Sequence, residues 1–320
     1  MKKQLTTLFL TLTLFAAGFY AATNTQELID WWKLRDYQPS ERIASITDAT
    51  GMNDEGRDLF YVNDPQIVSS KTEFRTNCQT QSEIIVLGCH VGNNRIFIYD
   101  VNDERLKGIV EVTSAHEMLH AAYERLSTQE REDVNALLES HYESLKMTDE
   151  RLRQTIESYA QRDLSVVPNE LHSILGSEKR DLPERLEEYY KEYFSDRMKS
   201  VALSEAYDEA FAERQHKIDD FDQQLAQLQS EITRYEASSS DTASSLQAER
   251  TELNRLRESD PEAYNARVPG YNSLVQSYNI AVENLRSTID SYNDIVRQRN
   301  EIALEERDLV NAIDSRIERL

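Results

Sequence analysis

The chain has 320 residues, only 8 of them glycine and 6 proline, with 29% charged residues and a formal net charge of −22. That length allows one sizeable core with an extension, or two domains, and the composition favours long helices over a sheet-rich fold. The charge argues against a nucleic-acid partner and against polybasic attachment to anionic lipid, and it is assigned to solvated helix faces.

Met1-Lys2-Lys3 precedes residues 5–22, LTTLFLTLTLFAAGFYAA, which carry no charge. A short basic start and an apolar run form an export signal. Ala16, Ala17 and Gly18 would suit a signal peptidase, and a run of this length can also just span a bilayer. Residues 1–22 are therefore expected to be a signal peptide or a signal anchor. The bulk of the chain then lies outside the cytoplasm, membrane-anchored or secreted. Trp31 and Trp32 follow. They are expected in the core of the first helix, the competing expectation being the membrane interface.

Residues 25–37 and 40–52 read as two short helices separated by Pro39. Residues 84–91 and 95–101 are β-rich and flank Gly92-Asn93-Asn94, a hairpin signal. The two cysteines, Cys78 and Cys89, are expected to form a disulfide in an exported chain, with Cys78 in the loop that leads into the hairpin. The rival reading, a Cys89–His90 metal site, lacks further ligands at the usual spacing. Helices are then expected over 116–126, 129–145, 149–161 and 169–175. The last follows Pro168 and ends at Gly176, a C-cap signal. Pro183 marks the start of another.

The helix at 116–126 contains His116-Glu117-Met118-Leu119-His120. Composition alone gives a His-Glu-x-x-His match in roughly one protein in a hundred, so its surroundings must carry the inference. Histidines four apart share a helix face, one turn apart, and can take two corners of a tetrahedral zinc. Glu117 between them is placed to take a proton from water at the metal and pass it to a leaving amine. A rival reading makes Ser114-x-x-Glu117 a capping box and the histidines polar members of an amphipathic face. Against it, Ala115, Met118, Leu119, Ala121 and Ala122 surround the motif. A helix apolar on nearly every side is buried, and buried imidazoles and carboxylates need partners.

A hairpin, the motif helix and then a carboxylate-bearing helix form an order that resembles the zincin metallopeptidases. The resemblance covers roughly residues 95–194. It implies that residues 95–101 are the edge strand that holds an extended substrate. Asn169-Glu170 resembles the segment that supplies the third ligand in the gluzincins, which implies a zinc site of His116, His120 and Glu170. Forty-nine residues separate His120 from Glu170, a wider gap than the gluzincin pattern. Residues 121–128 lack the glycine and third histidine that the metzincins require. Glu124 points past the metal, and His172, Glu178 and Asp181 are reserve ligands. His172, Tyr189 and Tyr190 are candidates for steadying an oxyanion, although core or surface roles fit them better. The pairing of HEMLHAAYERL with NELHSILG is also similar to that in bacterial envelope proteins.

From about residue 202 the chain changes character. Ile218, Phe221, Leu225, Leu228, Ile232 and Tyr235 keep a 3-4 spacing, resumed at Leu246, Leu253 and Leu256. A second seam runs from Tyr271 through Leu274, Tyr278, Ala281, Leu285, Thr288, Tyr292 and Ile295 to Ile302, Leu309 and Ile313. Two heptad arms joined across 259–270 read as an antiparallel coiled-coil hairpin, with an intermolecular coil as the competing reading. The hairpin would place Leu256 near Leu274 and Ile218 near Ile313.

The expected fold is α+β and mostly helical: a zincin-like domain over 23–197 with a small β hairpin or sheet, then the coiled-coil hairpin over 198–320. The expected function is a zinc-dependent peptidase outside the cytoplasm, with Glu117 as general base. Its substrate would be a peptide, a protein or a peptidoglycan peptide. The arm would bind a protein partner or regulate the site, and the N-terminal segment, if uncleaved, would hold the chain to the membrane. The alternative is a non-catalytic envelope scaffold with a structural or vestigial zinc site.

Overall fold

The computed structural model describes residues 25–78, 85–92 and 95–316, and over these the protein is a mostly helical α+β structure. Contacts divide it into two units, Ala210–Asp308 and the remainder, the latter comprising residues up to Glu209 together with Leu309 onward. Residues 1–22 lie outside the described residues. Among those described, no helix is long and apolar enough to cross a membrane.

The first unit is organised on its most apolar helix. In chain order it contains α1 (Thr25–Leu34), α2 (Glu41–Ala49), α3 (Asp54–Val62), β1 (Gln66–Val68), α4 (Lys71–Cys78), β2 (Gly88–Val91) and β3 (Arg95–Tyr99). Then come α5 (Ile109–Arg125), α6 (Thr128–Leu145), α7 (Glu150–Ala160), α8 (Val167–Glu178) and α9 (Glu184–Tyr190). The helix α5 starts seven residues ahead of the expected boundary, after Gly108 at φ +100°. Its buried residues include Val112, Ala115, Met118, Leu119, Ala122 and Tyr123, so nearly its whole circumference is covered, as its composition requires. It packs against α8, the sheet, α2 and α3. Ser114 is not a cap: its hydroxyl donates to Val110 O inside the helix at 2.7 Å.

The sheet order is β1-β3-β2, with β1 parallel and β2 antiparallel to β3. The paired strands β2 and β3 match the expected hairpin, whose turn residues 93–94 lie outside the described residues. β3 is the central strand, however, not the expected edge. β1 occupies its other side, with Gln66 opposite Phe97 and Val68 opposite Tyr99. The free edge belongs to β2. Tyr99 N donates to Leu87 O at 2.7 Å, so by alternation the backbone groups of Val86, Gly88 and His90 point away from β3. The Ser315 hydroxyl donates to Val86 O at 2.7 Å, and the C-terminal residues thus return to this unit. Cys78 and Cys89 are joined in a disulfide. Cys78 ends the helix α4, where a loop was expected, so the bond ties α4 to β2.

Gly176 does not stop α8, which continues to Glu178. A Cβ at 176 would lie 2.5 Å from both Leu119 Cδ1 and Tyr190 Cε1. The glycine therefore serves close packing of α8 on α5 and α9. The C-terminal carbonyls of α8 are instead capped by the buried guanidinium of Arg197, which donates to Leu175 O, Gly176 O and Lys179 O and pairs with Glu187.

The second unit consists of parts of two helices, α10 (Met198–Ser259) and α11 (Pro261–Ile313), joined at Asp260. The Asp260 carboxylate accepts from Ala263 N at 3.1 Å, and Pro261 takes the first helical position, where its missing N–H costs nothing. Ion pairs of Glu249 with Arg267, Asp222 with Arg299 and Arg214 with Glu305 show that the helices run antiparallel. They also make the pairing symmetric about Asp260. All of the expected link over 259–270 except Asp260 is thus helical, and Leu274 and Ile313 are not the partners of Leu256 and Ile218. Pro269 is accommodated inside α11. Ile218, Ile232, Leu253, Leu256 and Thr288 are the buried positions of this unit.

Candidate metal centre

Helix periodicity puts His116 and His120 on one side of α5, facing α8. Their rings are 4.6 Å apart and meet edge to face. Pro168 sits in the first turn of α8, and Asn169 and Glu170 follow it onto the same side. Glu170 Oε2 lies 3.7 Å from His116 Nε2 and 3.8 Å from His120 Nε2. Two donors about 2.1 Å from one ion can be at most about 4.2 Å apart. The three residues offer ligand atoms that all lie within 4.8 Å of one another and could hold a metal ion. Glu170 Oε2 is buried and has no hydrogen-bond partner. A cation is the group that would satisfy it.

The far nitrogen of each ring is also engaged. His120 Nδ1 is 2.9 Å from Asn169 Oδ1. An amide oxygen only accepts, so this nitrogen carries the proton and leaves Nε2 with its lone pair free. His116 Nδ1 is 3.6 Å from Glu178 Oε1. Glu178 thus stands behind a histidine and not among the converging ligand atoms. His172 and Asp181, the other reserve ligands, are also outside the group.

Without a metal the site is electrostatically loaded. Burial opposes a charged His116, but the Glu170 and Glu178 carboxylates outweigh it and push its pKa up to about 10. Burial and the neighbouring His116 charge push His120 down to about 4. Burial also acts against the Glu170 carboxylate, yet His116 and His120 bring its pKa below the ordinary value.

Glu117 shares a cleft with these residues and lies against Gly88 of β2. Burial raises its pKa to about 8, with the Glu170 charge adding to the rise. The His116 charge and the His90 backbone N–H, directed at the carboxylate, oppose the rise. Gly88 is required here, because a Cβ on it would lie 2.5 Å from Glu117 Oε1. Glu117 Oε2 is buried without a partner. Glu124, one turn beyond His120, turns instead to His90 Nδ1 at 3.3 Å.

The histidines, Glu117 and Glu170 line an open cleft of about 630 Å³ whose wall is the edge segment 85–90. Tyr159, on α7, lines it too and directs its hydroxyl at Glu170. This residue was not singled out from the sequence. The available signal was its position seven residues after Leu152 and three after Ile156, both buried, which puts it on the inward face of α7. His172, Tyr189 and Tyr190 do not line the cleft. His172 is buried with Nε2 2.8 Å from the Tyr189 hydroxyl, and the Tyr190 hydroxyl donates to His172 O at 2.7 Å. They form an aromatic cluster beneath the site.

Compared with known proteins, the chain matches no family model, no curated protein and no solved structure.

Proposed function

We propose that this protein is a zinc-dependent peptidase of the zincin type that works outside the cytoplasm. His116, His120 and Glu170 would hold the ion, and the helices of the second unit would form a coiled-coil arm for a partner. One observation carries the reading: Glu170 Oε2, buried and unpartnered, faces two imidazole Nε2 atoms, one of whose rings is held from behind by Asn169 while the other has Glu178 at its far side. Two imidazoles and one carboxylate suit zinc and leave a coordination position open, as in catalytic and not structural sites. Zinc bound there would polarise a peptide carbonyl and acidify a water molecule.

The rest of the chemistry belongs to the chain. Glu117 accepts a proton from the attacking water as the new C–O bond forms. It returns that proton to the amide nitrogen as the C–N bond breaks. Of the outward backbone groups on this edge, Val86 O is taken by Ser315 and the His90 N–H by Glu117, so an extended peptide would pair at Gly88, beside Glu117.

The test is metal analysis of the purified protein with a peptide-library cleavage assay, run with and without a chelator. About one zinc per chain and chelator-sensitive cleavage are expected. Glu117→Gln should keep the zinc and lose cleavage by at least about a hundredfold, the scale of general-base catalysis. Normal cleavage by that variant would overturn the mechanism.

A further inference from the structure

Four of the ten exposed large hydrophobic residues among the described residues fall in the ten-residue helix α1: Leu28, Ile29, Trp31 and Trp32, the tryptophans 63% and 65% exposed. At 100° per residue these four lie within an arc of about 160°. The opposite side is fastened down. Arg125 of α5 pairs with Asp30 at 2.5 Å, and Lys33 donates to Val62 O at 3.1 Å. No residue of α1 is buried. The tryptophans are thus not core residues, and the packing of the polar side fixes the apolar arc outward.

We infer that this arc is a lipid-docking surface and that α1 lies in the polar–apolar boundary of a bilayer, an inference that rests on the expected role of residues 5–22 as an uncleaved signal anchor. Those residues carry no charge, and they end two residues before α1 begins at Thr25. A helix so close to a membrane-entering run is held at the bilayer surface. Tryptophan is the side chain that suits that depth, with an apolar ring and one N–H donor. An arc of four large apolar residues in ten is an interfacial pattern, with the charged residues Asp30 and Lys33 on the other side. The chain's net charge of −22 makes anionic headgroups poor partners, so the contact is apolar and needs no anionic lipid. This inference does not depend on the metal site.

Trp31 and Trp32 are the only tryptophans in the chain, so selectively excited tryptophan fluorescence reports on this face alone. The full chain would be reconstituted into phosphatidylcholine vesicles containing lipids brominated either near the headgroup or deep in the acyl chain. Blue-shifted emission is expected, with stronger quenching by the shallow bromines and no gain when phosphatidylglycerol is added. Leu28→Ser/Ile29→Ser keeps both reporters and should lower the quenching at least twofold. Emission at the aqueous position without quenching would overturn the inference, as would blue-shifted emission that bromines do not touch, which would mean that protein covers the face. Unchanged quenching in the Leu28→Ser/Ile29→Ser variant would also overturn it, because tethering alone would then explain the signal.

Discussion

Asn169 Oδ1 accepts a hydrogen bond from His120 Nδ1 at 2.9 Å, linking the first turn of α8 to the middle of α5. The bond fixes both the tautomer and the rotation of the ring, so that Nε2 is presented toward Glu170. Groups behind a metal-ligating histidine typically contribute about 10–100-fold to metal affinity. Asn169→Leu removes the acceptor at similar volume. Its zinc affinity, measured by competition with a chromophoric chelator, should fall by about that factor while far-UV circular dichroism stays unchanged.

Glu170 and Glu178 should separate by role. Glu170 Oε2 faces both Nε2 atoms, whereas Glu178 meets only the far side of His116. Glu170→Ala should therefore lose zinc as completely as His120→Ala. Glu178→Gln keeps a hydrogen-bond acceptor and should retain stoichiometric zinc at about tenfold lower affinity. Equal metal content in Glu170→Ala and the unaltered protein, with loss in the Glu178 variant, would exchange the two assignments.

How much of this was legible depends on the range of the interactions. HEMLH was readable because helix periodicity alone brings His116 and His120 together, and the apolar residues around them announce burial. Asn169-Glu170 was legible only through its resemblance to the gluzincin segment, because nothing in the spacing from His120 marks it as a ligand. Tyr159 was not, because its partner Glu170 sits on another helix. The edge strand was misassigned for a similar reason. β1 is three residues long, too short to show alternation, yet its pairing makes β3 central. Gly176 and Pro269 look like breakers locally. Tertiary packing against Leu119 and Tyr190 keeps the first inside α8. The helix α11 continues through the second and moves the turn to Asp260.

Asp100 gives a pH-dependent prediction away from the metal centre. Its carboxylate pairs with Arg42 of α2 and accepts from Ser69 at 2.9 Å and Asn102 at 3.1 Å, tying the end of β3 to α2 and to the β1–α4 loop. The hydrogen bond from Arg42 is the largest cause of a pKa below the ordinary carboxylate value; burial opposes the shift, and Ser69 and Asn102 add to it. A lowered pKa means that the folded state binds the proton more weakly than the unfolded state. The stabilisation is then complete above the ordinary carboxylate pKa and is lost as pH falls through the depressed one. Asp100→Asn should cost about 1–3 kcal/mol in urea unfolding at pH 7, the scale of hydrogen bonds to a charged group. The two stability curves should draw together on the acid side. A constant gap down to pH 3 would show that Asp100 acts only through shape.

Gly176→Ala tests whether the site is positioned by the contact between α8 and α5. The added methyl would lie 2.5 Å from Leu119 Cδ1 and from Tyr190 Cε1, both on fully buried residues. Neither side chain has free space to retreat, because Leu119 belongs to the covered face of α5 and the Tyr190 hydroxyl is held by His172 O. Overpacking of this kind costs about 1–3 kcal/mol and is relieved by backbone movement. Alanine is the better helix former by about 1 kcal/mol, so a net loss of stability would mean that packing outweighs propensity here. Glu170 is on the same helix and Glu178 ends it, so a displaced α8 carries the Glu170 carboxylate away from His116 and His120. The variant should melt several degrees lower and bind zinc more weakly. A variant that melts higher with full zinc affinity would mean that α8 can shift without disturbing the metal centre, and the close approach at Gly176 would then not be what sets the Glu170 position.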